Sequence, residues 1–227
     1  MLSEFVFDDP NAHEKVKPGM EAIEVVENIL KGNKDVTQLT VITHPVGLNW
    51  SQDYSTKEER KQNFLCAYEP EFTQLGIHPL KVAEFTKARI VDIQEKARKQ
   101  CNNNHIVVSL TSEVVLIAGG KMHLAMMNFH PEGDYGTDEI VKALEFRHPG
   151  MPAVLLNSGR HQHLYGFELL SQRQWEEWMG TWAIPFYFIH PGYLGYRLSA
   201  GYSTLRLTSD AQFKPTVPYV TKIISNR

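Results

Sequence analysis

Leu155-Leu-Asn-Ser-Gly-Arg-His-Gln-His-Leu-Tyr-Gly166 is the stretch from which the fold is read. The apolar run Met151 to Leu156 predicts a buried strand. It stops at a small polar turn, Asn157-Ser158-Gly159. A second strand then restarts with His163 and Tyr165 on one face, because alternate residues of a strand point the same way. A hydroxyl, a guanidinium and an imidazole therefore gather around one glycine turn. Glycine lets a ligand approach the backbone closely, and Arg and His both donate hydrogen bonds to phosphate oxygens. The pattern points to an anion site on a sheet.

Working outward, residues 19–31 predict a helix ended by Gly32, and Leu39 to His44 a strand. Asn49 to Thr56 reads as a loop. Lys57 to Tyr68 and Pro79 to Gln100 read as helices, the second with mixed charge on its outer face. That charge is the mark of a solvated surface more than of a nucleic-acid track. From His105 the character changes. Residues 105–110, 113–118 and 123–129 predict three strands, and 138–146 a short helix with acids in its first turn. Ser171-Gln-Arg-Gln174 has the form of a capping box. It opens a helix whose Trp175, Trp178 and Trp182 recur at helical spacing, which favours core packing over base stacking. Residues 186–190, 203–208 and 217–224 predict the remaining strands. The expected organisation is a mainly helical region, 1–103, packed on an α+β domain, 104–227, with one continuous domain 1–227 as the other option.

Composition narrows the class. The chain has 227 residues, 42% of them hydrophobic, which supplies ample material for a core. A formal net charge of −3 provides no global attraction to nucleic acid, so such binding needs a local basic groove. Two cysteines, Cys66 and Cys101, are too few for a disulfide framework or a zinc ribbon. The acidic start lacks the pattern of an export signal, and no run approaches a membrane span. A soluble, cytoplasmic protein is expected.

The ordered set of segments resembles the archaeo-eukaryotic primase superfamily, and most closely its primase 1D-like members. Ser158-Gly159-Arg160-His161-Gln162-His163-Leu164-Tyr165 is similar to the superfamily's second motif. Tyr202 to Thr208, with Arg206, is similar to the stretch that follows the third. The resemblance covers roughly residues 104–210. It implies a primase-like (RRM-like) mixed or antiparallel sheet around a central cleft with flanking helices. It also implies nucleotidyl transfer by two divalent metals, Mg²⁺ or Mn²⁺, held by carboxylates of the first and third motifs. The second-motif histidine, here His163, would contact nucleotide phosphates.

The sequence departs from that pattern at the metal positions. In Met126-Met127-Asn128-Phe129-His130, Asn128 and His130 stand where the acids of the first motif would be, and His190 stands in the third. Amide and imidazole are poor hosts for Mg²⁺. The expected nucleotide-binding residues are Ser158, Gly159, Arg160, His163, Tyr165 and Arg206, with His163, Asn128, His130 and His190 in the catalytic positions. Tyr165 has a core role as its default reading, and Arg160 is evenly divided between a ligand contact and a surface ion pair. The preferred function is a primase-polymerase-like protein that binds a nucleoside triphosphate or nucleic acid with impaired catalysis. One alternative is an active nucleotidyltransferase of DNA or RNA primase type, using relocated carboxylates such as Glu132, Asp134 and Asp138. A weaker one is a phosphodiesterase with Zn²⁺ on His130, His163 and His190.

Overall fold

The apolar run before the glycine turn forms β5 (Ala153–Asn157), and the residues after the turn form β6 (Gln162–Leu170). They pair antiparallel, with Leu156 opposite His163 and Val154 opposite Tyr165. The computed structural model describes residues 12–46, 76–130, 136–183 and 188–225. Within them the other strands are β1 (Val36–Pro45), β2 (Gly76–Lys81), β3 (Ile106–Leu116), β4 (Lys121–Phe129), β7 (Thr204–Arg206) and β8 (Tyr219–Ile224). They make one sheet in the order β2-β1-β3-β4-β6-β5-β8, with β7 attached to β3. Every pairing is antiparallel, so of the mixed and antiparallel options the second holds.

The sheet forks at its centre. β3 and β4 pair only beside their hairpin, from Glu113–His123 to Val115–Lys121. Farther along β3 the neighbour is β7 instead, with Ser109 opposite Arg206. The fork leaves carbonyls of β4 to other partners, and the Trp178 indole donates to the Met126 carbonyl at 3.2 Å. Beyond the fork β4 continues against β6, with Asn128 opposite His163.

Strand periodicity divides the apolar residues between two faces. Leu124, Met126, Val154, Leu156 and Tyr165 join a core with α1 (Ala22–Gly32) and α2 (Lys87–Cys101), through Val26, Ile29, Ile90 and Ile93. Their neighbours Ala125, Met127, Ala153, Leu155 and Leu164 face the opposite way. These pack on α3 (Thr137–Arg147), α4 (Gln172–Thr181) and α5 (Pro191–Ala200). The tryptophan stripe lies there, with Trp175, Trp178 and Trp182 all buried.

Several expectations change. The strands expected at 105–110 and 113–118 are the single strand β3. Thr111 and Ser112, read as a polar joint, are buried with satisfied hydroxyls: Thr111 donates to the Thr40 carbonyl at 3.0 Å, and Ser112 accepts from the Ser203 amide at 2.9 Å. The helix expected at 79–100 begins only at Lys87, where the Thr86 hydroxyl caps it by accepting from the Arg89 amide at 3.2 Å. Pro79 belongs to edge strand β2, a position proline tolerates because one side of the strand has no ladder. The strand expected at 186–190 is absent from its described part, residues 188–190, which leads into α5 with His190 as N-cap. Region 1–103, expected to be mainly helical, also contributes β1 and β2, and the sheet crosses the expected boundary without a break. The expected helix at 57–68 and loop at 49–56 lie outside the described residues.

Candidate functional site

The turn between β5 and β6 is built by its own donors. The Ser158 hydroxyl and amide both donate to the His161 carbonyl, each at 2.9 Å. The Gly159 amide donates to the Asn157 carboxamide oxygen at 2.7 Å. Gly159 has φ +100°, a conformation that suits glycine, and a Cβ there would come 3.4 Å from the Thr216 hydroxyl. The sequence reading gave Ser158 and Gly159 to the phosphate. In the structure their donors hold the turn closed, because a tight turn has few other acceptors for them.

Arg206 has a similar role. Its buried guanidinium donates to the carbonyls of Ser158 (2.7 Å), Thr216 (2.7 Å) and Thr208 (2.5 Å). The fork expected to meet phosphate instead ties β7, the 208–216 loop and the Ser-Gly turn into one unit. Burial pushes it down to about 10, so it keeps its charge at neutral pH and projects that charge into the site.

Around this frame the imidazoles collect. Asn128 lies opposite His163, and its amide nitrogen is 3.3 Å from His130 Nε2. The rings of His130 and His161 touch, with centroids 3.4 Å apart, and His190 lies 6.2 Å from His130. The His130 amide donates to the Phe188 carbonyl at 2.6 Å, which joins the end of β4 to the start of α5. The structure thus brings Asn128, His130, His163, His190 and Arg206 together. It adds His44, His161 and Lys214, which the sequence reading had not selected. His161 was legible, since it shares a face with His163 by period two. Lys214 sits in a loop without any motif. Arg160 is exposed at the turn, near enough to depress both His161 and Lys214.

The buried polar atoms at this cluster that have no hydrogen-bond partner among the described residues include His44 Nδ1, Asn128 Oδ1, His161 Nδ1, His163 Nδ1, the Tyr165 hydroxyl and Arg197 Nε. Groups of this kind are costly when left without a partner, and each calls for an explanation such as a ligand or an ordered water. The electrostatics carry one sign. Burial lowers His130 to about 4, and His190 and Lys214 add to the shift. Burial lowers His161 to about 3, with His130, Lys214, Arg160 and Arg206 contributing. His163 lies well below the usual imidazole value through burial, then Arg206, His161, Lys214 and His130. His44 falls to about 4 through burial, Arg197, Arg206 and Lys214. Lys214 is itself lowered by burial and by Arg206 and Arg160. Among the described residues, no carboxylate contributes to any of these shifts.

That donor set does not fit a pair of hard dications. Asn128 turns its amide nitrogen toward His130, and its neighbours are cationic or neutral. No group of three His, Cys, Asp or Glu among the described residues is placed to hold a metal. The zinc set expected from His130, His163 and His190 is therefore not assembled. His190 Nδ1 is occupied as a helix cap, accepting from the Gly192 amide at 3.1 Å. Of the alternative carboxylates, Asp138 is on the exposed first turn of α3, 4.0 Å from Lys222 of β8. Glu132 and Asp134 lie outside the described residues.

A family model, described as AEP-like, archaeo-eukaryotic primase 1D-like, matches residues 89–219, more than half of the chain. No curated protein and no solved structure matches. No helix among the described residues is long and apolar enough to cross a membrane.

Proposed function

Because the chain belongs to the archaeo-eukaryotic primase 1D-like family, we propose that it binds the phosphates of a nucleotide or nucleic acid at the forked centre of its sheet and is impaired in joining nucleotides. The observation that supports this most is the company kept by His163. It is buried opposite Asn128, within a cluster of imidazoles and cations, where nucleotidyl transfer by two metals needs carboxylates. His163, His161 and the Asn128 amide present polar atoms to the ligand. Lys214 and Arg160 supply charge at the rim, and Arg206 holds the turn and the 208–216 loop in register.

Isothermal titration of the chain with a nucleoside triphosphate tests the binding half. His163→Ala is expected to weaken binding roughly tenfold or more, the loss usual when a buried polar contact to a charged group is removed. The catalytic half is tested with labelled nucleotides, a template and Mn²⁺. The expected result is no incorporation above the His163→Ala control. Incorporation above that control means that carboxylates outside the described residues complete an active nucleotidyltransferase.

A further inference from the structure

We infer that the pocket selects phosphate in its metal-free form, with Lys214 and Arg160 standing where a metal-complexed ligand would carry its own cation. The inference rests on the phosphate-binding reading above and sharpens its ligand class.

The charges that face the pocket come from every described element around it. β1 brings His44, the residue that follows β4 is His130, the residue that precedes β6 is His161, and β6 itself brings His163. The turn brings Arg160, β7 brings Arg206, the loop brings Lys214, and α5 brings His190 and Arg197. None of these is an acid. Arg206 spends three of its five N–H donors on carbonyls and Arg197 lies over the Tyr193 and Tyr196 rings, which leaves Lys214 and Arg160 as the permanent charges best placed to meet a ligand. Neither has an acidic partner within ion-pair distance among the described residues.

A free polyphosphate answers that field. The same polyphosphate wrapped on Mg²⁺ brings two positive charges into a half-buried site that already repels them, with no carboxylate among the described residues to offset the cost. The unpartnered His161 and His163 ring nitrogens and the Tyr165 hydroxyl, each able to donate, are an independent sign of a missing polar guest. Rigid placement helps, because Arg206 fixes the distance between the turn that carries Arg160 and the loop that carries Lys214.

Calorimetric titration of the full chain with ATP and with inorganic tripolyphosphate, each in EDTA and in excess Mg²⁺, tests the inference. The expected result is binding several-fold tighter in EDTA than in excess Mg²⁺, and equal affinity in the two conditions overturns the inference. Lys214→Met and Arg160→Gln are each expected to weaken the EDTA affinity about tenfold and to shrink the difference between the two conditions. Binding that appears only with Mg²⁺ overturns the inference while leaving the nucleotide reading in place. Tripolyphosphate bound in EDTA with no response to ATP supports the inference and overturns the nucleotide reading. No binding of either compound in either condition overturns both.

Discussion

Four imidazoles, those of His44, His130, His148 and His161, are held by burial at about 4 or, for His161, about 3, against an ordinary value of 6.5. In the unfolded chain each would protonate near pH 6.5; in the folded chain each stays neutral until far lower. Between those limits the unfolded state binds more protons, so stability falls as pH falls from about 6.5 toward 4. Melting temperatures read at pH 7.5, 6.0 and 5.0 in low phosphate are expected to drop steadily, and His161→Gln should flatten the slope. A slope unchanged by that variant would show that the ring is already protonated or solvated in the folded state. Residue by residue, the sequence made part of the site legible. Period two put His163 and Tyr165 on one face, and strand pairing set Asn128 beside His163. It could not show that Arg206 would donate to backbone carbonyls, because an arginine's partners come from chain segments distant in sequence. Nor could it find Lys214, whose loop that arginine ties to the turn.

At the scale of elements, local chemistry decided which predictions matched. Ser171-Gln-Arg-Gln174 gives the reciprocal cap its sequence suggests. The Gln174 amide donates to the Ser171 hydroxyl at 3.3 Å, and the Ser171 amide donates to the Gln174 side chain at 2.8 Å. Ser171→Ala is expected to cost about 1 kcal/mol in urea unfolding, the typical value for losing such a cap. The m-value should stay the same, since the packed tryptophan face survives. α5 was unreadable for the opposite reason. Its cap is a histidine instead of Ser, Thr, Asp or Asn, its interior carries Gly192 and Gly195, and the aromatic run before it mimics a strand. Pro79 misled in a third way, since a proline that can start a helix also fits an edge strand.

At the scale of the whole molecule, the fork between β3 and β4 is what makes a site possible. A continuous sheet would have buried the end of β4 under a neighbouring strand, but the divergence exposes Asn128 and His130 to β7, the loop and α5. The same architecture limits how much polymer the molecule can hold. Its net charge is −3, and of the four permanent cations around the pocket Arg206 is engaged by carbonyls and Arg197 by tyrosine rings, which leaves Lys214 and Arg160 for a strand, beside imidazoles that are neutral at pH 7.5. Single-stranded nucleic acid releases counterions in proportion to the phosphates neutralised, with a slope near −0.7 for each. Two contacts give a slope of roughly −1.4 for log K against log salt, so affinity should fall only about sevenfold between 50 and 200 mM salt. Fluorescence anisotropy with a labelled oligonucleotide reads this directly, and Lys214→Met should bring the slope to about −0.7. A slope steeper than about −3 would need more cations than this pocket holds and would move the binding surface elsewhere on the protein. A shallow slope, joined to tight binding of free triphosphate, is the signature of a pocket for one terminal phosphate cluster, because a strand track must neutralise many phosphates in succession.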